Sequence, residues 1–342
     1  MKRHRILAVI LTTVLAPVTM QAQQANKDKC LFNHLEMGLN MGTTGLGLDF
    51  TMPVNEWIWL RTGFSYMPKI EVPMTFGVQV GDDASTSQSK FERLSSYLTS
   101  FTGNKVKNEV EMIGKPSFWN WNFMVDVFPL KKNRHWHVTA GFFYGPSKVA
   151  EAYNKTESMA SLLAVSIYNN MYDKVHGLSR RELLQVKLLE IPGLENLGTD
   201  PDVLIELQKG LDYNGRMGVH LGNYKNDVYD ANGNLLHKKG EAYMMDPDEN
   251  SMVSAEMKVD AFKPYIGIGY EGLMVKSNKR VSIGFDAGVM LWGGTPRLTT
   301  HDGTDLIHDV EDIGGKVGDY VKVMKEIKAF PLINLRIGYK LF

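Results

Sequence analysis

The sequence contains one cysteine, Cys30, so no disulfide can close within the chain. It has no excess of either charge. Its 38 basic and 38 acidic residues cancel, which argues against nucleic acid as a partner, because phosphate binding needs a basic surface. Beyond residue 22 no apolar run reaches the about 18 residues that mark a spanning helix, and the mean hydropathy is −0.20. No CxxC, no HExxH, no glycine-rich phosphate loop and no internal repeat is found. Redox, zinc-protease and nucleotide chemistry therefore have no motif to rest on, and no metal or cofactor is expected.

The N-terminus reads as a targeting segment. "MKRHR" is basic, "ILAVILTTVLA" (Ile6 to Ala16) is an apolar core too short to span a bilayer, and Pro17 follows. A small residue at Ala22 offers a cleavage point, so residues 1–22 read as a signal peptide and 23–33 as a periplasmic leader. Cys30 follows Lys27, Asp28 and Lys29 rather than small apolar residues, and reads as an ordinary thiol of that leader.

The remainder, 34–342, carries eight segments that alternate apolar and polar residues. They run through Leu35–Met41, Leu46–Met52, Ile58–Tyr66, Trp119–Val127, Trp136–Tyr144, Pro264–Tyr270, Val281–Leu291 and Ile333–Leu341. Each segment suits a tilted transmembrane strand of about 9–11 residues. Short links at 53–57, 128–134 and 275–280 alternate with long insertions at about 69–115, 147–258 and 293–329. With eight strands, all three short links and both chain ends fall on one side, and all three insertions on the other, as in outer-membrane barrels.

The insertions carry local signals. "ESMASLLAVSIYNNMY", "SRRELLQVKLLEI" and "GDYVKVMKEIKAF" have helical spacing, and Ser179 with Glu182 fits a capping box. "DPDVLIELQKG" predicts a helix that starts at Pro201 and stops at Gly210. Asn232-Gly233 predicts a hairpin turn. The 147–258 insertion is expected to be a small folded cap.

The polar face of the strands decides which side is inside. It mixes charged residues with glycines, which suits the narrow lumen of an eight-stranded barrel and would serve no purpose on a solvated face. Glu36, Asp49, Asp126, Glu271 and Asp286 are expected to pair with Arg61 and Arg336, and with Lys263 and Lys340, in a plugged, charged lumen. Trp57, Trp59 and Trp136 lie beside short links, and Trp119, Trp121 and Trp292 beside insertions. They are expected to form two aromatic girdles at the membrane interfaces.

Other candidates are weaker. His135 and His137 share a strand face at a spacing open to metal, but no third ligand lies nearby. Asp230, Asn232, Asn234 and Glu241 imitate a calcium loop, yet Leu235 stands where that loop needs glycine, and the hairpin turn accounts for the segment without an ion. "DPDEN" (246–250) reads as a solvated acidic turn.

"GTTGLGLDF", "WLRTGFSYMPK" and "FKPYIGIGYEG" resemble segments of uncharacterised outer-membrane barrels of gut and oral anaerobes. The alternating strands as a set resemble the small eight-stranded outer-membrane β-barrel proteins of Gram-negative bacteria. The resemblance implies an all-β fold: an antiparallel eight-stranded transmembrane β-barrel with partly helical extracellular insertions. It implies the cell outer membrane as location, with membrane lipid and the barrel assembly machinery as partners. It also implies a C-terminal insertion signal, carried here by Phe342 and Tyr339, although Tyr339 lies three residues before the end where the family commonly has two. The function expected is a monomeric, non-enzymatic surface-binding or structural protein that meets an unknown extracellular ligand through 147–258. The alternatives are a narrow channel or transporter for small solutes, and a lipid-modifying outer-membrane enzyme.

Overall fold

The computed structural model describes residues 34–81, 83–130, 133–183, 185, 201–275, 278–326 and 328–341. The signal segment, the leader and Phe342 lie outside the described residues, as does most of "LLQVKLLEI". The chain opens with β1 (Glu36–Gly42), β2 (Gly45–Pro53) and β3 (Ile58–Tyr66). A first insertion follows, holding β4 (Val72–Val80), a helix over Ala84–Thr102 and β5 (Glu109–Pro116). Next come β6 (Trp119–Val127) and β7 (Trp136–Tyr144). The second insertion holds β8 (Lys148–Asn154), helices over Met159–Val175, Arg180–Leu183 and Pro201–Asn214, and β9 (Met217–Tyr224). It continues with β10 (Val228–Tyr229), β11 (Leu235–His237), β12 (Ala242–Met245) and β13 (Ser254–Lys258). Then come β14 (Phe262–Val275) and β15 (Asn278–Leu291), a third insertion with β16 (Arg297–Thr300), β17 (Val310–Glu311) and a helix over Gly315–Glu326, and finally β18 (Ala329–Lys340).

Eight of these strands close an antiparallel barrel in the order β1-β18-β15-β14-β7-β6-β3-β2. The last strand seals it against the first, from Glu36 opposite Lys340 to Gly42 opposite Asn334, so neither chain end leaves an open sheet edge. The barrel is inside-out relative to a soluble one. Leu39, Met41, Leu48, Ile266, Ile268, Ile333, Leu335 and Ile337 face outward and are exposed, while Glu36, Asp49, Arg61, Asp126, Asp286 and Arg336 are buried. An exposed apolar belt on a closed barrel suits lipid, since closure satisfies every backbone group without water. The protein is an eight-stranded β-barrel of the cell outer membrane.

Glycine makes the interior possible at specific points. Gly63 lies opposite both Asp49 and Asn122, and a Cβ there would collide with Asp49 Oδ1 and the Leu48 carbonyl oxygen. At Gly38 a Cβ would stand 2.9 Å from Arg336 Cδ. These glycines leave room for the long charged side chains of neighbouring strands.

The insertions meet at one end of the barrel and merge. A second sheet runs β12-β9-β4-β5-β8-β13-β16, with β17 paired to β9. The helices Ala84–Thr102 and Met159–Val175 pack on β4 and β9 respectively. Leu162, Val165 and Tyr168 recur on one helix face and meet Val80, Val110, Met217, Val219 and Val310 in a single core. This corrects the expectation of a cap within 147–258, because the sheet takes strands from all three insertions. The Ala84–Thr102 helix is capped by Asp83, which accepts from the Ser85 amide at 2.9 Å, and stops at Gly103 in the left-handed region. The helix begun at Pro201 passes through Gly210 and ends before Gly215 (φ 78°), whose amide donates to the Leu211 carbonyl at 2.8 Å. The capping box forms, with the Ser179 amide donating to Glu182 Oε2 at 2.9 Å, and the hairpin turns at Gly233.

Leu39 lies midway along β1 with an outward side chain. Leu39→Arg is expected to cost about 2–4 kcal/mol, the usual cost of a cation at the bilayer midplane. Reversible denaturant unfolding of the protein in lipid vesicles checks it.

Candidate functional site

The lumen is filled in layers. Nearest the short links, Trp59 packs on Phe128 with ring centroids 4.9 Å apart, and Phe128 on His137 at 5.2 Å. Above them lies an ion-pair cluster. Arg61, on β3, donates Nη1 to Asp286 Oδ2 at 2.6 Å and Nη2 to Asp286 Oδ1 at 3.0 Å. The same Nη2 reaches Asp126 Oδ1 at 3.0 Å, and Thr139 Oγ1 donates to that oxygen at 2.6 Å. His137 Nε2 lies 3.1 Å from Asp286 Oδ1. One guanidinium thereby ties β3 to β6 and, across the lumen, to β15, and the same carboxylates hold Thr139 and His137 of β7.

A second cluster lies on the other wall. Arg336 Nη2 donates to Glu271 Oε2 at 2.6 Å and Nη1 to Thr51 Oγ1 at 3.4 Å. Ser282 Oγ donates to Glu36 Oε1 at 2.5 Å. Lys263 is buried too, but its Nζ bonds Asn120 Oδ1 at 3.3 Å. Asp49 sits on the same inner face without a described ion-pair partner. Toward the insertions the lumen turns apolar: Met124, Phe143, Tyr265, Met290 and Leu332 are buried together, with Trp292 and Phe330 packed against them. Between the ionic and apolar layers lies a cavity of about 20 Å³, lined by Asp49, Ser65, Asn122 and Tyr265 among others. That is room for about one water molecule.

The tryptophans divide. Trp119, Trp121 and Trp136 project outward and are exposed, and Trp57 sits half-buried in its turn with the Arg134 guanidinium 5.6 Å above its ring. Trp59 and Trp292 depart from the girdle expectation. Trp59 shares the inward face of Arg61, and Trp292 shares that of Met290 and stacks on Phe330 at 5.4 Å. Strand parity overrides nearness to the interface in both cases. Tyr339 projects outward between Met37 and Val281.

The weaker metal candidates are committed elsewhere. His135 Nδ1 bonds the Glu271 carbonyl oxygen at 2.6 Å while His137 turns to Asp286. Asp230 Oδ1 accepts from the Asn232 and Asn234 amides, both at 2.8 Å, and Glu241 holds His237 at 2.8 Å. Asp248 Oδ1 likewise accepts from the Asn250 amide at 2.9 Å and the Met252 amide at 2.8 Å. Among the described residues no group of three His, Cys, Asp or Glu side chains is placed to hold a metal.

A larger space lies in the cap, where its sheet forks. β4 pairs with β5 over Val72–Gly77 but with β9 only over Val78–Val80, and β9 then takes β17 at Asn223 and Tyr224. The gap between holds a cleft of about 220 Å³ lined by Thr75, Phe76, Gly77, His220, Leu221, Ile313 and Gly314. The Val78 amide donates toward β5 and the Gly81 amide toward β9, so alternation turns the backbone groups of Thr75 and Gly77 toward the gap. Burial pulls the His220 imidazole below its ordinary pKa, and the backbone at Gly222 partly opposes this. The cleft therefore offers peptide donors and acceptors and an imidazole whose charged form burial disfavours, beside a Phe76 ring that also packs on the cap core. Sequence reasoning anticipates neither this cleft nor the apolar lumen layer. The inward parity of Met124, Phe143, Tyr265, Met290 and Leu332 was the available signal for the latter.

Arg61→Ala leaves Asp126 and Asp286 buried without their cation. It is expected to destabilise the barrel by about 3–5 kcal/mol, measured as a fall in the urea midpoint.

No family model matches the chain, and no curated protein matches it. Among solved structures it is similar to CarO2 of Acinetobacter baumannii, at 12% identity over 90% of this chain and 98% of that one, with a TM-score of 0.34. Acinetobacter baumannii CarO is similar at 11% identity over 91% and 99%, with a TM-score of 0.35. A major outer membrane protein of Thermus thermophilus is similar at 9% identity over 90% and 97%, with a TM-score of 0.26. Scores of that size say nothing about function.

Proposed function

We propose that the protein is a non-catalytic surface-binding protein, in which a closed barrel anchors a rigid cap on the outer face of the membrane. The supporting observation is the single sheet that draws strands from all three insertions and stands over a lumen filled by ion pairs and apolar side chains. A barrel built to conduct needs a continuous wet passage, and a sheet built only to link strands needs no core of its own. The short links and both chain ends then lie in the periplasm.

The cleft at the sheet fork is the binding site of this reading. Thr75 and Gly77 backbone groups, the Phe76 ring and His220 suit an uncharged polar ligand with a flat face, such as a sugar ring or an extended peptide segment. Cells displaying the protein are screened on a glycan and peptide array. Gly77→Trp, which fills open space in the cleft, is expected to cut retention at least about tenfold, a loss of about 1.4 kcal/mol, while gel migration remains heat-modifiable.

The alternative reading is a narrow channel, favoured by the polar inner rows of every barrel strand. It requires steady conductance of the wild-type protein in planar bilayers. The binding reading expects none, and expects protease added to intact cells to cut within the cap. Steady conductance, or a cap protected in intact cells and cut only after permeabilisation, overturns it.

A further inference from the structure

The barrel interior carries more buried acid than buried base. Glu36, Asp49, Asp126, Glu271 and Asp286 face Arg61, Lys263 and Arg336, all eight buried, with His137 buried beside Asp126 and Asp286. Asp126 and Asp286 share Arg61, Glu271 has Arg336, and Glu36 has the Ser282 hydroxyl. Asp49 is left over. It is 2% exposed, and its Oδ1 makes no hydrogen bond to a described residue. An ionised carboxylate in that position carries a heavy desolvation cost unless a cation compensates it.

The side chains around Asp49 show what would compensate it. Asp49 lines the cavity above Arg61 together with Ser65, Asn122 and Asn334. Ser65 Oγ, Asn122 Oδ1 and Asn334 Oδ1 are buried as well, and none has a hydrogen-bond partner among the described residues. The register brings two of these groups together. Asp49 and Asn122 lie opposite Gly63 from either side, so no side chain separates them. One carboxylate, two amide oxygens and a hydroxyl thus border one space, as do Tyr265, whose hydroxyl also has no partner among the described residues, and Arg61, whose Nη atoms are on Asp286 and Asp126 while its Nε–H has no partner among the described residues.

We propose that this cavity binds a single monovalent alkali cation of the sodium class. Donors that are all oxygen suit a hard cation and exclude the softer transition metals. One carboxylate without a cation in contact suits a single charge, whereas calcium sites gather several carboxylates among six to eight ligands. The cavity, about 20 Å³, admits one particle the size of a water molecule. The cation does for Asp49 what guanidinium groups do for Asp286 and Glu271, and locks β2, β3, β6 and β18 around one point.

The test uses the full-length protein refolded in detergent. Thermal unfolding is followed by heat-modifiable migration and tryptophan fluorescence while sodium chloride replaces N-methylglucamine chloride at constant ionic strength. The wild-type midpoint is expected to rise and saturate with sodium. Asp49→Asn should abolish the rise and hold its midpoint in N-methylglucamine chloride at or above that of the wild type. Should Asp49→Asn fail to assemble, Ser65→Ala and Asn122→Ala serve instead, each raising the half-saturating sodium concentration at least several-fold. A wild-type midpoint indifferent to the cation overturns the proposal and leaves water in the cavity. A rise that persists in Asp49→Asn, or in both alternative variants unchanged, places the ion elsewhere and overturns it too. A rise seen only with calcium overturns the monovalent assignment.

Discussion

The width of an eight-stranded lumen constrains everything else in this molecule. Such an interior is just wide enough for side chains from facing walls to touch. Every inward residue must therefore fit several others, and a long side chain on one strand requires a short one beside it. Arg61 reaches Asp126 on the neighbouring strand and Asp286 across the barrel, and Gly63, the next inward residue on its strand, leaves the space that Asp49 fills. Arg336 is accommodated by Gly38 and Gly284, near which a Cβ would press on its side chain. The charges follow from the same geometry, since a narrow polar interior with almost no water must neutralise itself with ion pairs.

The space left inside the barrel, about 20 Å³, admits nothing larger than one water molecule or ion, and the larger cleft lies in the cap. The cap is no loose decoration of the rim. Its strands leave the barrel as continuations of the hairpins, so the barrel sets their spacing and direction. The fork between β4 and β9 shows the cost of joining strands from separate insertions: the two cannot stay paired along their length, and the cleft opens where they part.

Much of the barrel was legible in the sequence because lipid on one side and a polar lumen on the other impose strict alternation. Leu39, Leu48 and Phe64 against Asn40, Asp49 and Gly63 leave little choice of register. The aromatic girdle was only partly legible. Distance from the turns puts Trp59 and Trp292 at the interfaces, whereas their parity with Arg61 and Met290 puts them inside, and parity prevails. The cap strands were not legible, for a physical reason. β9 runs Met217, Gly218, Val219, His220, Leu221, with sheet neighbours on its edges and a helix on its face, and its buried residues lie on both faces. A strand buried on both sides loses the period-two signal. The helices over 159–175 and 315–326 kept theirs. Gly210 misleads as a stop signal because the helix continues to Asn214 and ends before Gly215, the glycine that takes the left-handed conformation.

The order of the cap sheet has a consequence for how the protein is made. Val80 of the first insertion pairs with Met217 of the second, Lys258 with Arg297 of the third, and Tyr224 with Val310. No cap sheet can be complete before the third insertion has joined it. Contacts between residues so far apart in sequence form slowly. The barrel wall holds the roots of the three insertions close to one another, which shortens the search for these pairings. A graft of one insertion into another barrel would carry strands without the neighbours they pair with.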